Sequence, residues 1–137
     1  MNSPDVYKPE RIAWGDLSDA MGPWVQSLRS DRFWSMLLDN VKASERVRDA
    51  AMKAVVWLEM KRLPDQAQRL DDAVQSMREA VFECRQAMAA HGPSKAKDLP
   101  EVRELRDAWV AAVEHLRTVV EQVMADVPSE VWEGIDG

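Results

Sequence analysis

Apolar residues alternate at steps of three and four over two long stretches of the chain. In the first stretch they fall at Ala67, Leu70, Val74, Met77, Val81, Cys84 and Met88. In the second they fall at Val102, Leu105, Trp109, Ala112, Leu116, Val119 and Val123. This spacing is typical of helices that bury one face. Because the connection between them is short, the pattern predicts an antiparallel helical hairpin of about residues 65–91 and 100–127.

Residues that start and stop helices flank both stretches. Asp65 follows a proline and is a candidate N-cap, whereas Gly92 can adopt the left-handed conformation that ends a helix. Asp98 and Glu101 have the spacing of a capping box. Pro128 is expected to end the second helix.

The N-terminal half predicts further helices that pack across the hairpin. A broad apolar face covers residues 31–63, but the step from Val41 to Val47 is six residues and Ser44 could cap a new helix. The pattern therefore leaves open one kinked helix or two helices. A short helix is expected near 23–29, with residues 1–22 as a partly extended arm and 128–137 as a short acidic tail. We expect one compact all-α helical bundle over residues 1–137.

Composition supports a folded protein of the reducing cytoplasm. The chain has 46% hydrophobic and 31% charged residues, which is not the composition of a disordered chain. One cysteine excludes a disulfide within the chain. Charged residues interrupt the first twenty positions, so we expect no secretion signal and a cytoplasmic location.

The net charge of -6 is concentrated at the C-terminal end. Residues 1–100 carry fifteen acids and fifteen bases, whereas residues 101–137 carry nine acids and three arginines. Asp107, Glu114 and Glu121 recur every seventh residue and predict an acidic stripe on the last helix. This stripe is a solvated helix face or a surface for a basic partner, and it disfavours direct nucleic-acid binding.

Residue types suited to catalysis are scarce. Neither of the two histidines belongs to an established zinc or di-iron motif, and the five glycines form no phosphate-binding loop. Cys84 lies on the apolar seam and is expected to be a core residue. We therefore predict no catalytic residue, no metal site and no cofactor.

Arg85, five intervening residues and His91 form a pattern that resembles the Arg-x(4 to 6)-His signature of HEPN ribonucleases, which are also helical bundles. The resemblance implies metal-independent RNA cleavage, with Arg85 holding the phosphate and His91 as general acid or base. The alternative is a solvated arginine and a histidine that favours the C-terminal end of its helix.

Six tryptophans are an unusual number for 137 residues. Five lie near other apolar positions and are expected to be mostly core, whereas Trp132 lies in the acidic tail and either covers the bundle end or anchors a partner. The predicted partner-binding set is Asp107, Glu114, Glu121, Glu130, Trp132 and Glu133.

These features favour a non-enzymatic protein-binding module, namely a small acidic inhibitor of a basic nucleic-acid-processing complex of a host. Anti-CRISPR proteins and antitoxins are the classes it resembles in size and acidity. The alternative is a helical structural subunit of a nucleoprotein assembly, which requires that the basic residues cluster: Lys53, Lys61, Arg62, Arg69, Arg78 and Arg85.

A homodimer through helix 65–91 is a further possibility. Ala73, Ala80 and Ala87 recur every seventh residue beside the seam and allow another helix to approach closely. If this side is not covered within one chain, a symmetric dimer is expected.

Overall fold

The computed structural model describes residues 21–128 and 130–131, and all regular structure within them is helical. Residues 21–29 form α1, which a single 3-10 turn (Asp31–Phe33) follows. The remaining helices are α2 (Leu37–Met60), α3 (Pro64–His91), the one-turn α4 (Pro93–Ala96) and α5 (Pro100–Asp126). This arrangement confirms the all-α helical bundle. Residues 1–20 of the predicted arm lie outside the described residues, whereas residues 21 and 22, also predicted as arm, belong to α1.

Helix α3 is the centre of the bundle because it packs against both α5 and α2. Its whole predicted seam is buried, from Ala67 to Met88. Ala73 is buried as well, and Ala80 and Ala87 are partly buried against the core. The alanine side of α3 is therefore only partly covered within one chain, and a dimer through these alanines stays a prediction.

Both hairpin helices begin at a proline. Pro64 and Pro100 occupy the first turn of their helices. Backbone N–H groups in this turn have no acceptor within the helix, so the N–H that proline lacks costs no hydrogen bond. Leu63 and Leu99 consequently occupy the N-cap positions without side-chain hydrogen bonds, so the caps predicted at Asp65 and Asp98 were wrong. Gly92 ends α3 with a φ of 81°, which confirms the expected positive φ.

Helix α2 runs unbroken through Ser44, which settles the choice between one helix and two. The buried Ser44 hydroxyl donates a 2.7 Å hydrogen bond to the carbonyl oxygen of Val41 one turn earlier. The Asn40 side chain, also buried, donates to the carbonyl oxygen of Phe33 at 3.5 Å. Buried polar side chains that make hydrogen bonds thus take the place of the apolar residues missing between Val41 and Val47. The helix begins at Leu37, because residues 31–33 form the separate 3-10 turn.

Aromatic side chains fill part of the core of the bundle. Trp57, Trp109 and Phe33 are fully buried, and the rings of Phe33 and Trp109 lie edge to face at 5.2 Å. Trp24 and Trp34 are only partly buried against this core. The expectation that five tryptophans are mostly core thus holds fully for Trp57 and Trp109 and in part for Trp24 and Trp34. The fifth, Trp14, lies outside the described residues.

None of the helices formed by residues 21–128 is long and apolar enough to cross a membrane. The longest ones carry charged residues at many positions of their outward faces. Most of the large apolar side chains of these helices pack in the shared core, whereas Leu38, Val56, Met60 and Phe82 are exposed.

Candidate functional site

The three stripe residues of α5 are all accessible to solvent. The side chains of Asp107, Glu114 and Glu121 are exposed by 70%, 41% and 55%. Seven residues are close to two helical turns, so the three carboxylates follow one side of a straight helix. We call this set the acidic face.

Each carboxylate of the acidic face is paired with an arginine. Asp107 accepts a hydrogen bond from Arg106 at 3.1 Å, and Glu121 lies 3.4 Å from Arg117. Glu114 pairs with Arg29 of α1. Neighbouring arginines therefore offset part of the negative charge that the sequence pattern indicated.

Arg106 is the most fixed of these arginines because its side chain is only 14% exposed. Its guanidinium lies over the rings of Phe33 and Trp34, at 5.7 and 5.6 Å from their centroids. It also donates to the carbonyl oxygen of Leu28 at 3.4 Å. These contacts hold Arg106 in place beside Asp107.

Glu114 has a structural role that the sequence pattern did not show. Its ion pair with Arg29 joins α1 to α5, across 85 residues of sequence. The Arg117 guanidinium also lies against Gly22 of α1, where an added Cβ would be 3.6 Å from the Arg117 Cζ. Asp107 and Glu121 pair only with arginines of α5 itself. Of the acidic face, these two carboxylates are therefore the ones that can bind a partner without releasing α1.

The rest of the predicted partner-binding set lies beyond α5. Glu130 is helical and exposed. Trp132 and Glu133 lie outside the described residues. The described part of the set is therefore the acidic face together with Glu130.

A groove between α2 and α3 is a second surface, which the sequence analysis missed. Two adjoining cavities of about 190 and 480 Å³ form it, and both are lined by Val41, Phe82 and Arg85. Phe82 is 59% exposed and Leu38, also on the lining, is 72% exposed. We call this region the Phe82 groove. Phe82 does not belong to the apolar seam of α3. A large apolar residue at an outward position of a helix is the feature of the sequence that could have indicated this groove.

Charged residues of both signs surround the Phe82 groove. Arg48, Arg78 and Arg85 line it together with Glu45. Arg48 pairs with its neighbour Asp49 at 3.1 Å. Among the described residues, Arg85 makes no hydrogen bond or ion pair.

The six basic residues considered for a nucleic-acid surface do not form one cluster. Arg78 and Arg85 line the Phe82 groove, between α2 and α3. Arg69 instead reaches α5, where it donates to Asp126 at 3.0 Å and to Gln122 at 2.7 Å. The arginines of α3 are therefore divided between two surfaces.

Cys84 is fully buried in the core, as predicted. Burial raises the pKa of its thiol from 9.0 to about 11, although the charge of Arg106 partly opposes this rise. The thiol therefore stays protonated at neutral pH and is a poor nucleophile.

Arg85 and His91 are both exposed near the end of α3. Arg85 lines the larger cavity of the Phe82 groove, whereas His91 is not part of its lining. Six residues of an α-helix correspond to a rotation of roughly 600°, which directs the two side chains to different sides. Among the residues that the structure describes, no group of three or more His, Cys, Asp and Glu side chains could hold a metal ion.

No family model, curated protein or solved structure matches this chain.

Proposed function

We propose that this protein is a non-enzymatic binding module that docks on a basic surface of another protein through the acidic face of α5. The observation that carries the proposal is the exposure of Asp107 and Glu121 on one side of a long, well-packed helix. A helix that packs along its full length against α3 presents such groups in a fixed geometry.

The arginines beside these carboxylates do not prevent a partner from binding. Exposed ion pairs contribute only about 0 to 1 kcal/mol, because water solvates both charges well. An arginine or lysine of a partner can therefore replace the exposed Arg117 beside Glu121. At Asp107 it joins Arg106, which stays in place against Phe33 and Trp34. Opposite charge on the two proteins accelerates their association and excludes partners of the wrong sign.

A small inhibitor of a nucleic-acid-processing complex is the narrower form of this proposal. Proteins that bind nucleic acid carry basic grooves, and an acidic helical surface can occupy such a groove in place of the phosphate backbone. The excess of nine acids over three arginines in residues 101–137 supports this class of partner. Anti-CRISPR proteins and antitoxins are examples of this mode of action.

The test is affinity capture from a lysate of the source organism, with mass spectrometry of the retained proteins. The wild type is compared with the double variant Asp107→Lys, Glu121→Lys, which leaves the Arg29–Glu114 pair between α1 and α5 intact. The matched control is Asp39→Lys, Glu59→Lys, which makes the same charge change at exposed positions of α2.

We expect nucleic-acid-processing proteins to be retained by the wild type and the control and lost from the double variant. Retention of the same proteins by all three chains would show that the acidic face is only a solvated surface. Retention of proteins with no basic surface would reject the proposed class of partner.

A further inference from the structure

The lining of the Phe82 groove is basic, although the chain as a whole is acidic. Its charged residues are three arginines and one glutamate, namely Arg48, Arg78, Arg85 and Glu45. Three arginines and one glutamate give this lining a formal charge of +2, whereas the whole chain has a net charge of -6. A groove with this charge attracts carboxylates.

Two of the three arginines have no carboxylate partner among the described residues. Arg78 donates a 3.2 Å hydrogen bond to the neutral side-chain oxygen of Gln75, and Arg85 makes no hydrogen bond or ion pair. Both side chains are exposed. Because they are seven residues apart, they lie on one side of α3, about 10 Å from each other along the helix axis. The groove therefore offers two unpaired guanidinium groups to a ligand.

The groove beside these arginines is apolar. Phe82 lies between them on α3 and is 59% exposed, and Leu38 on the opposite wall is 72% exposed. The larger cavity of the groove is lined mainly by apolar residues, namely Leu37, Leu38, Val41, Phe82, Met88 and Ala89. A ligand that fits the groove must therefore present apolar groups to Phe82 and Leu38 and carboxylates to the arginines.

The shape of the groove suits a helix. Its walls are the antiparallel helices α2 and α3, and an amphipathic helix can lay its apolar face into the space between two such helices. On α3 the lining extends from residue 77 to residue 92, which corresponds to about 20 Å, or four helical turns. All regular structure of the described residues is helical, so they provide no strand edge to which an extended peptide could add.

A nucleic acid fits this groove less well than an acidic helix does. Two unpaired arginines can neutralise only two phosphates, and the net charge of -6 repels the remainder of a polyanion. The phosphate backbone also offers no apolar group to the exposed side chain of Leu38. A helix with a few carboxylates beside an apolar face matches both the charge and the apolar surface of the lining.

We propose that the Phe82 groove binds an acidic amphipathic helix of a partner protein. The apolar face of that helix covers Phe82 and Leu38, and carboxylates two turns apart on the helix pair with Arg78 and Arg85. The groove lies on α2 and α3, away from the acidic face of α5. The proposal therefore goes beyond the proposed function and does not depend on it.

A library of helical peptides displayed on phage tests the proposal with the full chain. Each peptide has about four turns, with random apolar residues at positions i, i+4, i+7 and i+11 of one face. The other positions carry glutamate, lysine, glutamine or alanine at equal frequency. Selection on the wild type, with Phe82→Ser for counter-selection, should enrich glutamate over lysine at least threefold. Enrichment of lysine, or no enrichment at all, would overturn the proposal.

The most enriched peptide is then labelled with fluorescein, and fluorescence anisotropy measures its dissociation constant. Phe82→Ser should weaken binding at least tenfold, because it removes the apolar centre of the groove. The matched control is Val56→Ser, at a 53% exposed apolar position of α2 that does not line the groove. Equal affinity of these two variants would overturn the proposal. Circular dichroism should show unchanged helix content in both, since both side chains are already exposed.

Charge reversal tests the role of the arginines with the same peptide. Arg78→Glu with Arg85→Glu should weaken binding at least tenfold and remove most of its salt dependence. The control Arg46→Glu with Arg103→Glu makes the same charge change at exposed arginines outside the lining and should bind nearly as well as the wild type. Equal losses in the two double variants would show that only the overall charge matters, which would overturn the proposal.

Two further measurements distinguish other occupants of the groove. Single-stranded RNA that binds the wild type but not Phe82→Ser would identify a nucleic-acid site. A wild-type dimer in sedimentation equilibrium that Phe82→Ser abolishes would identify a second copy of this chain as the occupant. Either result would overturn the proposal, and we expect neither.

Discussion

Replacing Val74 by aspartate should strongly destabilise the protein at neutral pH. Val74 is fully buried in the middle of α3, the helix that packs against both α2 and α5. Removing its side chain from the core loses about 1.5 to 3 kcal/mol of hydrophobic stabilisation. The carboxyl group must also stay protonated in the core, and holding a proton at pH 7 against an ordinary pKa near 3.9 costs about 4 kcal/mol.

The two contributions together are about 6 kcal/mol, which is comparable with the whole free energy of unfolding of an ordinary domain, about 5 to 15 kcal/mol. The matched control is Ser76→Asp, because Ser76 is exposed on the same turn of α3. This control carries the same change in side-chain charge and nearly the same helix-propensity effect. Its free energy of unfolding should lie within about 1 kcal/mol of the wild type.

Urea unfolding followed by circular dichroism provides the measurement. The buried carboxyl has a raised pKa in the folded state, so its protonation penalty is small near pH 4 and grows as the pH rises. The deficit of Val74→Asp relative to Ser76→Asp should therefore shrink by roughly 4 kcal/mol between pH 7 and pH 4. Equal stability of the two variants at pH 7 would refute the position of Val74 in the core.

Three further predictions concern single groups. Because the thiol pKa of Cys84 is raised from 9.0 to about 11, its contribution to stability is complete below pH 9 and is lost through pH 11. Urea titrations should therefore show the wild type losing up to about 1.4 kcal/mol per pH unit more than Cys84→Ala in this window. Glu114→Gln should lower the free energy of unfolding by about 1 kcal/mol or less, since its pair with Arg29 is exposed; a larger loss would show that the pair is essential for docking α1. Finally, His91→Ala should leave partner binding unchanged, and RNA cleavage by the wild type that disappears in this variant would establish the ribonuclease alternative.

The hairpin could be predicted from the sequence because its signals are local and repeated. Seam residues recur over three heptads in each helix, and Pro64, Gly92 and Pro100 mark the boundaries directly. Such signals need no knowledge of the tertiary structure. The predicted bounds of 65–91 and 100–127 differ from those of α3 and α5 by one residue at most.

The continuity of α2 could not be predicted because burial of its polar residues depends on specific hydrogen bonds. Ser44 and Asn40 count as polar in any pattern of apolar spacing. In the fold both are buried, since their side chains bond to carbonyl oxygens of Val41 and Phe33. The sequence does not show which serine will be buried with its hydroxyl bonded to a carbonyl oxygen of its own helix.

The environment of the acidic face depends on contacts between distant parts of the chain. The seven-residue spacing predicted which carboxylates share a side of α5. It could not show that Arg29 reaches Glu114, because α1 and α5 meet only in the folded bundle. The Phe82 groove was missed for a similar reason, since its lining combines residues about forty positions apart on α2 and α3.

The most direct test of the proposed function is the rate constant with which the purified protein associates with its captured partner. Stopped flow at several salt concentrations measures it. If the acidic face steers the encounter, Asp107→Lys with Glu121→Lys should slow association at least tenfold at low salt and remove most of its salt dependence. The Asp39→Lys, Glu59→Lys control should associate nearly as fast as the wild type. An association rate that is the same for both double variants would contradict the role of the acidic face.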